Sequence, residues 1–132
     1  MGCFAGFLTG REAAKYMLSR GRGSIFFTGA TASIRGAENF AAFSAAKSGL
    51  RALAQSMARE LGPQGIHVAH FIIDGAIDTA FIKENFPDRY ALKEKDGILQ
   101  PDAIADAYWF VHTQHRSAWT HELDLRPYME KF

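Results

Sequence analysis

The stretch IHVAHFII, residues 66–73, limits the fold of this chain more than any other part of its sequence. Nearly every residue in it favours a strand, and apolar and polar positions do not alternate. A strand with one face in water would alternate, so this run predicts a strand that is buried on both faces. Such strands are typical of parallel sheets that helices cover on both sides.

Helices and strands alternate along the rest of the chain. Strand formers at 25–27 are bounded by glycines, and residues 119–125 alternate between apolar and polar. Apolar residues at helical spacing, with glycine or proline at the boundaries, predict three helices, at 7–19, 40–61 and 101–112. This order predicts an α/β fold in which about three parallel strands form a sheet with flanking helices.

The connecting segments have weaker patterns. Glycine and small polar residues predict a loop at 28–38, and residues 79–85 have the pattern of a short helix. The polar composition of 86–97 predicts a mobile segment. No repeat or linker divides the chain, so we expect a single domain, 1–132.

Charge and cysteine content exclude several classes of protein. Lys and Arg number 15 and Asp and Glu number 14, so no basic surplus favours nucleic acid as a partner. The apolar opening, residues 1–10, is far shorter than the roughly 20 residues of a membrane span, and we expect no membrane partner. Cys3 is the only cysteine, so no disulfide framework forms within the chain. We therefore expect a cytoplasmic protein.

The helix at 40–61 has two different faces. Leu50, Leu53, Ala54 and Met57 form an apolar face. A second face consists of small residues, namely Ala42, Ala45, Gly49, Ala52 and Ser56. Small side chains let another helix approach closely, so this face predicts a helix contact, commonly one between subunits.

Two segments resemble the short-chain dehydrogenase/reductase family: GRGSIFFTGATAS at 21–33, and FSAAKSGLRALAQSMARELGPQGIHVAHFIIDGAIDT at 43–79. The likeness covers nearly the whole chain. It implies the carboxy-terminal half of a Rossmann-like, doubly wound parallel sheet. It also implies an NAD(P)-dependent oxidoreductase that moves a hydride to or from a carbonyl or alcohol carbon of a small-molecule substrate.

The amino-terminal half of that family's fold has no counterpart in this sequence. The missing half carries the glycine-rich turn that binds the dinucleotide pyrophosphate at a helix N-terminus. No TGxxxGxG motif occurs in residues 1–132. The resemblance thus implies NAD or NADP as the cofactor, leaves the choice between them open, and makes binding by this chain alone doubtful.

The catalytic positions of the family are altered. Its YxxxK motif corresponds to FSAAK, so Phe43 stands where the family has its proton-donating tyrosine. Ala30 stands at the position of the family's serine, which binds the substrate oxygen. Lys47 is retained, and in the family this lysine lowers the tyrosine pKa and binds the nicotinamide ribose. General acid catalysis contributes about 100- to 10,000-fold, so the resemblance predicts an atypical active site.

The turn after the strand at 66–73 is better preserved. The family's PGxVxT corresponds to DGAIDT, in which Gly75, Ile77 and Thr79 would contact the nicotinamide. Asp74 replaces the proline and adds a carboxylate. That carboxylate is either an acid or base beside Lys47 or a loop cap.

Other polar residues have two interpretations each. Thr31 and Ser33 are either substitute donors for the lost serine or loop caps. His67 and His70 lie three apart, so in a strand they face opposite ways and do not share a metal. We therefore predict no metal site.

Three functional hypotheses follow. The first is the oxidoreductase described above. The second is a non-catalytic interaction module that forms a homo-oligomer through the helices at 7–19 and 40–61, as the resemblance implies, with Gly49 in the contact. The third is a truncated remnant with an open strand edge, which would be prone to aggregation.

Overall fold

The computed structural model describes residues 2–132 and contains one sheet of three parallel strands. The strands are β1 (Gly23–Ala30), β2 (Ile66–Ile73) and β3 (Glu122–Leu125), in the order β1-β2-β3. The helices are α1 (Gly2–Arg20), α2 (Ala41–Leu61), α3 (Ala80–Asn85), α4 (Pro87–Tyr90) and α5 (Pro101–His112). The predicted α/β class with three parallel strands and flanking helices is therefore confirmed.

The central strand β2 is buried along its whole length, as its continuous apolar run predicts. On one face of the sheet, Ile66 and Val68 pack with apolar residues of α1, β1 and α2. On the other face, Phe71 and Ile73 pack with Leu99 and with Val111 of α5. Each face of the sheet thus has its own apolar core.

Helix α1 packs closely against α2 because glycines line its contact face. A Cβ atom on Gly6 would stand 2.5 Å from Cδ1 of Leu50, and one on Gly10 would stand 3.0 Å from Met57. The helix begins at Gly2, earlier than the predicted 7–19. Glycine lowers helix propensity, but here the close packing outweighs that cost.

Strand β1 is longer than the predicted 25–27. It pairs with β2 from Gly23 opposite Ile66 to Ala30 opposite Ile73, so residues 28–30 belong to the strand and not to a loop. A short 3-10 turn, Thr31–Ser33, follows. Among residues 2–132 no strand pairs with the other edge of β1.

The segment 86–97, which we predicted to be polar and mobile, has regular helical structure in part. It contains α4 and a 3-10 helix, Ala91–Lys95. It leads into Ile98 and Leu99, which are buried, and Leu99 pairs with Ile77 as an isolated bridge. These apolar residues hold the polar segment in place.

The bounds of the remaining helices and strands lie closer to the predicted ones. The helix predicted at 40–61 begins at Ala41, and the one at 101–112 has the expected ends. The strand predicted at 119–125 is confined to Glu122–Leu125, because only those residues pair along β2. Within residues 2–132 no helix combines the length and apolar character that crossing a bilayer requires.

Candidate functional site

A pocket of about 640 Å³ opens beside the carboxyl ends of β1 and β2. In open parallel sheets this edge is the usual ligand site, because the loops that follow the strands meet there. The lining residues that concern us are Ala30, Thr31, Arg35, Phe40, Phe43, Ser44, Asp74, Gly75, Ile82, Phe86, Arg89 and Glu130. The pocket thus combines an apolar body with a few charged groups.

Three of the predicted site residues line this pocket together. Ala30 ends β1, Phe43 lies in the first turn of α2, and Gly75 follows β2. Phe43 is 46% exposed and its ring lies edge-on to that of Phe40, with 6.4 Å between centroids. Neither Ala30 nor Phe43 offers a side-chain proton here, so this part of the wall is apolar.

Lys47 lies next to Phe43, one turn further along α2. Its Nζ donates a 2.9 Å hydrogen bond to the carbonyl oxygen of Thr28, and it stands 5.8 Å from the centroid of the Phe43 ring. Burial lowers the pKa of Lys47, since the charged amine loses solvation. The structure therefore places Lys47 against β1 and not beside Asp74.

Asp74 is the most buried charged residue of the pocket. Its side chain is 2% exposed, and Oδ1 accepts a hydrogen bond from the hydroxyl of Thr31. Arg35 Nη2 lies 3.9 Å from Oδ1, and Arg126 Nε lies 3.8 Å from Oδ2. The backbone N–H of Asp74 donates to the carbonyl oxygen of Leu125 in β3. Asp74 thus joins the ends of all three strands.

The residues predicted to contact the nicotinamide make hydrogen bonds or packing contacts within the protein itself. Thr79 caps α3, because its Oγ1 accepts a 3.3 Å hydrogen bond from the N–H of Ile82. Gly75 has a φ of 142°, which favours glycine, and a Cβ there would stand 3.0 Å from Pro127. With Ile77 paired to Leu99, these residues form a rigid turn beside the pocket.

A partly buried polar network joins α2, β2 and β3, and the sequence analysis did not predict it. Nδ1 of His70 donates to Oε2 of Glu122 at 3.0 Å, and the guanidinium of Arg51 binds both oxygens of Glu122 at 2.8 Å. Arg51 lowers the pKa of Glu122, while burial lowers the pKa of His70. The alternation of residues 119–125 predicts a half-exposed strand with Glu122 on its polar side, and nothing in the sequence paired Glu122 with Arg51.

His67 and Ser33 have structural surroundings. His67 is 3% exposed, donates from Nε2 to the carbonyl oxygen of Thr120 at 2.8 Å, and stacks on Trp119 at 4.5 Å. Ser33 is buried and accepts a 3.0 Å hydrogen bond from the N–H of Ala30. That bond fits the loop-cap interpretation of Ser33. Among residues 2–132 no three His, Cys, Asp or Glu side chains are grouped to hold a metal.

Comparison with known proteins connects this geometry to one family. The model of the short chain dehydrogenase family matches residues 2–90. The 3-oxoacyl-[acyl-carrier-protein] reductase FabG of Rickettsia typhi is 29% identical over 122 residues, which cover 86% of this chain and 48% of that protein. The chain thus spans about half the length of such relatives.

Solved structures agree with the family model. A short-chain dehydrogenase from Rhodopseudomonas palustris is 52% identical, with a TM-score of 0.75 over 97% of this chain and 49% of that one. The 7α-hydroxysteroid dehydrogenase complexed with NADH and 7-oxo glycochenodeoxycholic acid shares the fold, with a TM-score of 0.78 and 22% identity over 97% of this chain and 52% of that one. This chain belongs to the short-chain dehydrogenase family.

Proposed function

We propose that the protein is an NAD(P)-dependent oxidoreductase that acts on an alcohol or carbonyl carbon through an atypical active site. The observation that carries this proposal is the pocket at the carboxyl ends of β1 and β2. Ligands usually bind at this edge of a parallel sheet, and the chain belongs to a dehydrogenase family. The small-molecule substrate would lie against Ala30 and Phe43. The single cysteine, Cys3, supports a cytoplasmic location.

The residues of this chain fit one end of a dinucleotide. Lys47, Gly75, Ile77 and Thr79 surround the strand ends, where they would hold the nicotinamide and its ribose. When bound, the nicotinamide supplies or takes up the hydride. No glycine-rich phosphate loop occurs in residues 2–132. We infer that this chain forms the carboxy-terminal half of a dinucleotide-binding domain, and that the phosphate-binding half lies outside it.

The altered positions limit what the site does to a substrate. Phe43 carries no transferable proton, and Ala30 carries no hydroxyl to orient a substrate oxygen. The polar side chains that line the pocket belong to Thr31, Arg35, Ser44, Asp74, Arg89 and Glu130. Any proton or hydrogen bond that the reaction needs would come from these polar side chains.

Titration of the protein with NADH and NADPH, followed by fluorescence and calorimetry, tests the proposal. Lys47→Met keeps the length of the side chain while removing the amine, and it is expected to weaken dinucleotide binding about ten-fold. Lys15→Met on the exposed face of α1 is the matched control, and it should leave binding unchanged. If neither dinucleotide binds to the protein in its natural length, the proposal is wrong.

A non-catalytic interaction module is the alternative, and one observation favours it. The small residues Ala42, Ala45, Ala52 and Ser56 are exposed along α2. On α1, Phe4 is 67% exposed and Phe7 is 44% exposed. These exposed faces would pair with the same helices of a second copy to give a homo-oligomer.

Light scattering of Ala45→Arg tests this contact, because a charged side chain would block a close helix pair. A substitution at Gly49 would not isolate the contact between copies, since its Cβ would stand 2.9 Å from Sγ of Cys3 and a bulky residue would also disturb packing within the chain. Arg59→Ala, exposed at the far end of α2, is the control. An unchanged mass for Ala45→Arg would refute the contact.

A further inference from the structure

We propose that the pocket recognises the alcohol member of an alcohol–carbonyl pair, with Thr31 as the hydrogen-bond acceptor and Asp74 as its positioning residue. The inference rests on the proposed function, because it concerns the substrate of the same pocket. It assigns a recognition role to a residue that follows directly after the altered position Ala30.

The direction of the Thr31–Asp74 hydrogen bond carries the inference. A carboxylate has lone pairs and no proton, so the single hydroxyl proton of Thr31 must point to Oδ1 of Asp74. What remains on Oγ1 of Thr31 is lone-pair density. A ligand group that meets Oγ1 must therefore donate a hydrogen bond.

The surroundings of Asp74 hold it in this acceptor role. The side chain is 98% buried by the strand ends, with guanidinium groups of Arg35 and Arg126 within 4 Å to balance its charge. Its Oδ2 atom has no hydrogen-bond partner and no access to solvent. Both residues line the pocket, but Asp74 is almost fully covered and Thr31 is more exposed, so the carboxylate acts on a ligand through Thr31.

One donor of the pocket, the guanidinium of Arg35, lies within reach of Thr31, but its Nη2 faces Oδ1 of Asp74 at 3.9 Å. Ala30 and Phe43 offer neither donor nor acceptor side chains, and the wall continues with Phe40, Ile82 and Phe86. A substrate that fits would carry a hydroxyl on an apolar body. A ketone of the same shape would set its carbonyl lone pairs against those of Thr31, which is unfavourable.

A pair of probes, 2-decalol and 2-decalone, tests this by calorimetry on the protein in its natural length without dinucleotide. One hydrogen bond is worth about 1 kcal/mol, so we expect the alcohol to bind about five- to ten-fold more tightly than the ketone. Thr31→Val removes the acceptor at constant shape and should abolish that difference, while Thr31→Ser should restore it. Ser19→Ala removes an exposed hydroxyl at the end of α1, outside the pocket, and should preserve the difference.

Asp74→Asn gives a second, opposite readout. The amide can donate to Thr31 and so release the threonine proton toward the ligand, which should narrow or reverse the preference for the alcohol. If this variant does not fold, the Thr31 series still decides. Equal binding of both probes, tighter binding of the ketone, binding of neither, or an alcohol preference that survives Thr31→Val would each overturn the inference.

The two proposals fail separately. Dinucleotide binding without an alcohol preference would retain the oxidoreductase and reject the role of Thr31. An alcohol preference in a protein that binds no dinucleotide would retain the role of Thr31 and reject the oxidoreductase.

Discussion

Arg51 and Glu122 are 71 residues apart in sequence, yet two 2.8 Å hydrogen bonds join their side chains. This bidentate pair connects α2 to β3, and His70 on β2 binds the same carboxylate. The carboxylate of Glu122 therefore joins α2, β2 and β3. A planar guanidinium matches both carboxylate oxygens, which a lysine at position 51 would not do.

Replacing Glu122 by Gln should destabilise the protein by about 1–3 kcal/mol, since Arg51 and His70 lose a charged partner in a partly buried site. The free energy of unfolding from urea denaturation measures this. A double-mutant cycle with Arg51→Met isolates the pair, and we expect a coupling energy on the order of 1–2 kcal/mol. Strictly additive effects would contradict the assignment.

Stability should fall as the pH decreases below 6.5. Burial lowers the pKa of His67 and of His70 in the folded state, so below the ordinary value of 6.5 the unfolded chain takes up protons that the folded chain refuses. Each neutral histidine contributes a slope of up to about 1.4 kcal/mol per pH unit. Below 4.5 the lowered pKa of Glu122 adds to the loss.

Urea denaturation between pH 7.5 and 5 checks this pH dependence. His70→Gln should reduce the slope, since it removes one of the two buried histidines. Stability that is constant over this range would show that the buried histidines titrate alike in both states.

Gly29→Ala should cost about 1–3 kcal/mol through overpacking. A Cβ at Gly29 would stand 2.6 Å from Oγ of Ser33 and 2.7 Å from Cε1 of His70, both of which are buried. Gly36→Ala is the control, because no atom lies within 4 Å of its Cβ position. Equal melting temperatures for the two variants would show that the core beside Gly29 accommodates the added methyl group without loss of stability.

Restoring the family's donor should increase carbonyl reduction. Phe43→Tyr combined with Ala30→Ser places a phenol and a hydroxyl in the pocket, and we expect about a 100-fold increase in kcat/KM with NADPH or NADH. Phe40→Tyr adds a phenol to the same pocket at another place and should have little effect. No increase in the double variant would mean that another group already serves as the proton donor.

The sequence predicts elements best where one local pattern decides the structure. The continuous apolar run of β2 and the proline-opened helix α5 have the predicted bounds, because burial on both faces and a helix start each have a local signature. Strand β1 was predicted too short, since the pairing of residues 28–30 depends on a partner strand more than 40 positions away. The helical turns of segment 86–97 were not predicted, because the apolar residues that follow them, Ile98 and Leu99, lie outside the segment.

The candidate site was predictable in part. Family motifs located Ala30, Phe43 and Gly75, and the structure brings these three to one pocket. The partners of Asp74 were not predictable, because Arg35 and Arg126 come from distant loops that carry no motif. Of the two interpretations of Asp74, one placed it beside Lys47, yet the Lys47 amine contacts the carbonyl of Thr28, and a backbone carbonyl has no sequence signature.

The open edge of β1 determines how a larger sheet can be built from this chain. Every second residue of this eight-residue strand directs its backbone N–H and C=O to that side, and a parallel neighbour cannot be joined to them by a tight hairpin. A further parallel strand would come either through a long crossover or from a separate polypeptide. In either case the edge of β1 would be the seam along which the sheet is extended.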